Sequence, residues 1–158
     1  MNPNKTPIIF LVFLISSILL LQSCGSNIGS GNSINSKLPK PIGPYSIYKE
    51  KNGMIFISGQ IAINPQTNLM VKDSFTAEVK QVLENINVIL NELNLKFDDV
   101  MVVNVYLRNL DNFNEFNTIY GSYFGNSSVI NYPPRVTVEV SKLPKDANIE
   151  ISLIAIRD

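Results

Sequence analysis

Between residues 75 and 93 apolar side chains recur at three- and four-residue intervals, at Phe75, Val79, Val82, Leu83, Ile86, Leu90 and Leu93. Glu78, Lys80, Gln81, Glu84, Asn87, Asn91 and Glu92 fill the positions between them. This period predicts an amphipathic helix, and Asp73 or Ser74 is placed to cap its first turn. On either side the pattern shortens to alternation. Residues 45–48 and 54–58 read as strands joined by a turn over 49–53, where Asn52 and Gly53 tolerate positive φ. Asn64, Pro65, Gln66, Thr67 and Asn68 mark a second turn before a short apolar run at 69–71. Residues 100–107 form a β-branched run that predicts a strand. Asn109 to Asn112 cap a second helix carrying Phe113, Phe116, Tyr120 and Phe124 on one side, a stripe that reads as core. Pro133 and Pro134 force an extended approach to RVTVEV, and IEISLIAIR is the last run. The predicted order is ββ(β)αβαββ, an α+β fold in which two helices cover one face of a mixed sheet.

Ahead of this pattern, residues 8–21 read IIFLVFLISSILLL, preceded by Lys5 as the only charge. Fourteen residues at about 1.5 Å each cover roughly 21 Å, short of a hydrocarbon core of about 30 Å. That length fits the core of a signal peptide. Leu21, Gln22, Ser23 and Cys24 then resemble the bacterial lipobox, which implies that Cys24 becomes the first mature residue and carries lipid on its sulfur and amine. A plain signal anchor with a coincidental cysteine is the competing reading. Residues 25–36, GSNIGSGNSINS, carry no charge and no period, as a flexible tether does. The expected organisation is a signal peptide at 1–23, a lipidated cysteine and tether at 24–37, and one domain at 38–158. The protein would then be a membrane-anchored lipoprotein, periplasmic or on the cell surface; it would be cytoplasmic if the leader is not functional.

Composition narrows the chemistry. With no histidine among the 158 residues, Ser-His-Asp and Cys-His machinery is excluded and zinc sites lose their usual ligand. One cysteine forms no internal disulfide, and 13 basic against 13 acidic side chains leave no electrostatic footprint for nucleic acid. No cofactor or metal is expected. The chain has only three arginines, Arg108, Arg135 and Arg157, and solvation accounts for the first and last. Arg135 follows a rigid Tyr-Pro-Pro and starts a strand whose alternation puts Arg135, Thr137 and Glu139 on one face and Val136, Val138 and Val140 on the other. A guanidinium so held suits bidentate recognition of a carboxylate, although on the residues alone a surface ion pair with Glu139 or a neighbour is the plainer reading. Ser58 and Gly59 end a strand where a bulge or a close ligand approach is expected, Tyr45 follows a Gly-Pro turn, and Glu150 and Ser152 share a face of the last strand.

Taken together, IGPYS at 42–46, ISGQIAINPQT at 57–67, VLENINVIL at 82–90, VYLRNLDNFNEFNTIY at 105–120, YPPRVTVEVSKLPKD at 132–146 and IEISLIAI at 149–156 resemble the RidA (YjgF/YER) family of imine deaminases. The resemblance implies a chorismate-mutase-like fold assembled as a homotrimer, with a cleft at each subunit interface. It also implies hydrolysis of 2-imino acids such as 2-iminopropanoate and 2-iminobutanoate, tautomers of reactive enamines, to 2-keto acids and ammonia. By the same resemblance Arg135 would clamp the substrate carboxylate, Tyr45, Ser58, Gly59 and Asn117 would line the cleft, and the main chain of Thr137 would help hold the water or imine. Ser152 stands where the family pattern implies a glutamate that orients the attacking water, which would leave the activity weakened. Glu150, displaced by about 6.6 Å along the strand, is not expected to substitute for it. The alternative is a tethered module that binds small carboxylates or proteins without catalysis.

Overall fold

A computed structural model of the chain describes residues 41–125 and 132–157. The expected signal peptide, lipidated Cys24 and tether lie outside the described residues. The elements are β1 (Tyr48–Lys51), β2 (Met54–Gln60), α1 (Phe75–Glu92), β3 (Val100–Leu107), α2 (Phe113–Phe124), β4 (Arg135–Glu139) and β5 (Ile149–Ile156), with single 3-10 turns before β3, α2 and β5. The strands form one sheet in the order β1-β2-β5-β3-β4. Among the described residues only the β3–β4 pair is parallel. The fold is the expected α+β arrangement of a mixed sheet and two helices.

Helix α1 starts where its cap allows. Ser74, in extended backbone, accepts the Ala77 N–H on its hydroxyl at 3.1 Å, which satisfies one of the orphan donors of the first turn. The predicted stripe then faces the sheet, with Val79, Val82, Leu83, Ile86, Ile89 and Leu90 buried. Opposite them lie the inward residues of the central strands, Ile55 and Ile57 on β2, Val103, Val105 and Leu107 on β3, and Ile149, Ile151, Leu153 and Ala155 on β5. Truncating a fully buried leucine such as Leu83 would cost about 2–5 kcal/mol.

Among the described residues no helix covers the other face of the sheet. Register places Met54 opposite Ile156, Phe56 opposite Ile154, and Val136 and Val138 beside Asn104 and Tyr106 on that face. Met54, Phe56, Val136, Val138 and Ile156 are exposed there.

Three expectations need correction. The first strand runs over Tyr48–Lys51, later than 45–48, because the hairpin turn is only Asn52 and Gly53, with φ of 53° and 77°. Positive φ at both central positions is the tight turn whose twist matches the flanking strands. The bracketed strand at 69–71 reduces to a single bridge between Ile63 and Met70. Asn64 turns the chain by accepting Gln66 and Thr67 N–H on its side chain, and Asn68 sits at φ 58°, so the ladder stops after one pair. Arg157 is more than solvated: it donates to the Leu93 carbonyl at 2.8 Å and pairs with Glu50 at 3.4 Å, tying β1 to the end of α1.

Candidate functional site

The parallel ladder pairs Val103 with Arg135 and Val105 with Thr137. Since Val103 and Val105 point to the helices, so do Arg135 and Thr137, and the predicted alternation of β4 holds. On α2, Phe113, Phe116, Asn117 and Tyr120 fall at i, i+3, i+4 and i+7, one face of the helix turned toward the start of β4. The Arg135 guanidinium carbon lies 4.6 Å from the Tyr120 ring centroid, 5.1 Å from that of Phe116 and 5.7 Å from that of Phe113. Its Nη2 donates to Asn117 Oδ1 at 2.7 Å. The alternative ion pair with Glu139 does not form, because Glu139 Oε2 accepts the Leu110 N–H at 2.8 Å.

Arg135, Asn117, Tyr120, Gly121, Tyr132 and Pro133 line a cavity of about 440 Å³. Among the described residues no carboxylate pairs with Arg135, so its fork of donors is held in place by ring faces and one amide oxygen. Burial pushes the Tyr120 phenol up to about 12 despite the opposing positive charge of Arg135, so the ring stays neutral beneath the cation. Among the described residues the buried Tyr120 hydroxyl has no hydrogen-bond partner, and neither has the Thr137 hydroxyl. Thr137 borders a second recess, with Leu110, Asp111, Phe113 and Asn114.

A separate group forms on the helix-free face. Tyr45, Ser58, Gly59 and Glu150 line a recess of about 230 Å³ with Ile42, Ile61 and Pro144. The β2–β5 register shifts between Ile57 and Gln60, so Ser58 and Gly59 leave the ladder. A Cβ at Gly59 would come within 1.8 Å of Glu150 Oε1. Burial raises the Glu150 carboxyl above its ordinary value. The Ser58 hydroxyl donates to the Ile47 carbonyl at 3.0 Å and receives Gln60 Nε2 at 3.3 Å, so its proton is already committed. Tyr45 curls back, its hydroxyl accepting the Ile42 N–H at 3.3 Å.

The structure therefore brings together Tyr45, Ser58 and Gly59, and separately Asn117 and Arg135 with Thr137 nearby. It does not bring Ser152 to either group. Ser152 pairs with Asn104 in the middle of the sheet, its hydroxyl receiving Asn104 Nδ2 at 3.4 Å. The carboxylate at the recess is Glu150, the residue that reading along the strand set aside. The signal for it was Gly59, since a glycine inside a strand marks a close approach and here the approaching group is Glu150. The two groups sit on opposite faces of the sheet, with β3 between β5 and β4, about 10 Å of strand spacing. One subunit does not join them.

A model of the family described as endoribonuclease L-PSP matches residues 35–157. The chain is 46% identical over 122 residues to a RutC family protein of Pyrococcus abyssi, covering 77% of this chain and 93% of that one. Among solved structures it is similar to the YjgF gene product of E. coli, with 35% identity, a TM-score of 0.72 and coverage of 78% and 95% of the two chains. The E. coli TdcF structure with bound serine has 33% identity and a TM-score of 0.72, again over 78% of this chain and 95% of that one. With its sheet order, its two helices and these matches over the whole described region, the chain belongs to the RidA/YjgF family, the family described as endoribonuclease L-PSP.

Proposed function

We propose that the protein is a RidA-type deaminase that hydrolyses small 2-imino acids, among them 2-iminopropanoate and 2-iminobutanoate, to 2-keto acids and ammonia. The observation that carries this reading is Arg135, a guanidinium fixed over three aromatic rings at the wall of a cavity with no carboxylate of its own. Such a group suits a substrate carboxylate, which it would bind bidentately. The serine in the E. coli relative is a ligand of the same size and charge pattern.

In the proposed reaction Arg135 holds the carboxylate and leaves the neighbouring iminium carbon facing Glu150 of a second copy. Glu150 receives a proton from water as the water oxygen attacks that carbon, giving a carbinolamine. Glu150 then hands this proton to the nitrogen and takes the proton of the carbinolamine hydroxyl as the carbonyl forms, the C–N bond breaks, and its electron pair leaves with ammonia. A carboxyl raised by burial holds a proton more readily than an ordinary one, which suits it to taking a proton and returning it. In this reading Glu150 takes the role that the family resemblance had suggested for the position of Ser152, so that Ser152 no longer speaks for a catalytically silent module.

The same reading calls for a homotrimer, because the two half-sites need different copies and the helix-free face offers Met54, Phe56, Val136, Val138 and Ile156 for burial. Among the described residues lining these three cavities Arg135 is the one cation, and the chain has no net charge, which does not favour a polyanion such as RNA. The deciding experiment is ammonia release from 2-iminopropanoate generated in situ, comparing the protein with Arg135→Ala. Rates equal to the uncatalysed reaction in both would overturn the proposal.

For the N-terminus the proposal is a lipoprotein anchored through Cys24, supported by the Leu21 to Cys24 sequence and facing the periplasm or the cell surface. Labelled palmitate should enter the protein and should be lost in Cys24→Ala. An unlabelled wild-type protein would refute the anchor.

A further inference from the structure

Three polar side chains are buried among the described residues, Gln60, Glu78 and Asn85, and all three bond to the chain segments that frame the Glu150 recess. Gln60 Nε2 donates to the Ser58 carbonyl at 3.0 Å. Asn85 Nδ2 donates to the carbonyls of Ile61 and Ile63 at 3.2 and 2.9 Å. Glu78 accepts twice from a single residue, from the Asn148 N–H at 2.9 Å and from Asn148 Nδ2 at 2.5 Å. Buried polar groups persist where every bond is met, and they then specify one backbone arrangement.

Glu78 is the most demanding of the three. Its carboxylate is 1% exposed, on the sheet-facing side of α1, and among the described residues no cation pairs with it. A buried carboxylate is expensive unless donors replace the water it has lost. Here both donors come from Asn148, whose carbonyl in turn accepts the Arg108 N–H at 2.9 Å. Asn148 is thus gripped from both sides immediately before β5, two residues ahead of Glu150.

We propose that Glu78 is a positioning residue for this site: by holding Asn148 it fixes the start of β5 and so the place of the Glu150 carboxylate against Gly59. The inference rests on the reading of Glu150 as the group that handles water. It makes a chemical distinction that bulk packing does not. Glu78→Gln retains both contacts once the Asn148 amide turns over, its Oε1 receiving the Asn148 N–H and its Nε2 donating to Asn148 Oδ1. Glu78→Ala leaves the N–H and the amide without partners.

The test uses the full chain and two readouts, amide hydrogen exchange and steady-state hydrolysis of 2-iminopropanoate. In Glu78→Ala, exchange at residues 149–151 should quicken roughly tenfold or more relative to residues 54–57 of β2, as expected for loss of bonds to a charged acceptor. kcat should fall by about tenfold or more with KM little changed, and Glu78→Gln should restore both readouts. Should Glu78→Ala fail to fold, Asn148→Ala removes only the side-chain half of the grip and should show the same local change in smaller measure. Unchanged exchange at 149–151 in either variant, or an undiminished kcat beside loosened amides, would overturn the proposal. A wild-type protein that hydrolyses no imine would sink the deaminase reading by itself, and the exchange comparison would still decide whether Glu78 holds the strand.

Discussion

Gly59 leaves room for Glu150: a Cβ added at residue 59 would lie 1.8 Å from Glu150 Oε1 and 2.7 Å from its carboxyl carbon. The atoms in the way belong to the far end of a flexible side chain, so the carboxylate can swing aside without moving backbone. Gly59→Ala should accordingly fold with little change in Tm and lose turnover by about 10²-fold or more, the typical cost of displacing an acid–base group. Calorimetry beside the imine assay checks both halves; a large fall in Tm with turnover kept would assign Gly59 to the fold alone.

Glu150→Gln gives a pH signature. Burial raises the folded carboxyl above its unfolded value, so folding favours the protonated form and stability falls as pH rises through the interval between the two values. The neutral amide escapes this loss. Glu150→Gln should therefore melt higher than the parent at pH 7, with the advantage shrinking as the pH drops below that interval, while hydrolysis falls about 10²- to 10⁴-fold. Ser152→Ala should leave turnover unchanged. Equal melting of Glu150→Gln and parent at every pH would remove the burial argument.

Replacing Arg135 by lysine should not preserve function. A lysine keeps the charge but lacks the planar fork and the stacking on Phe116 and Tyr120. Both Arg135→Lys and Arg135→Ala should lose about 2–5 kcal/mol of transition-state binding, read as kcat/KM, the range for truncating one partner of a bonded charge pair. A lysine variant close to wild type would mean that a point charge suffices.

Tyr120 separates ring from hydroxyl. Its hydroxyl is buried with no partner among the described residues, so Tyr120→Phe should keep or raise Tm and leave KM alone. Tyr120→Leu removes the ring face 4.6 Å from the guanidinium carbon and should raise KM, cation–π support being worth about 0.5–2 kcal/mol. A KM raised in Tyr120→Phe would instead show the hydroxyl to contact the ligand.

Through local periods and backbone preferences the amino-acid sequence by itself determined the helix α1, with its cap at Asp73 or Ser74, and the two faces of β4. Through its resemblance to the family, and not through any period, it also pointed to Tyr45, Ser58, Gly59, Asn117 and Arg135. It did not determine which acid serves the recess. Glu150 and Ser152 lie on the same face of β5, so alternation cannot separate them; the register shift of β2 beside Gly59 opens the space that Glu150 fills, and that shift is a property of two strands separated by about 90 residues. The aromatic stripe of α2 was legible as core and is core, with Phe116, Tyr120 and Phe124 buried. Only its docking against β4 turned the faces of Phe116 and Tyr120 toward Arg135, because the parallel pairing with β3 sets where residue 135 stands above the helix. Periodicity tells a side chain which way to face, and the packing of distant strands and helices decides what it meets there.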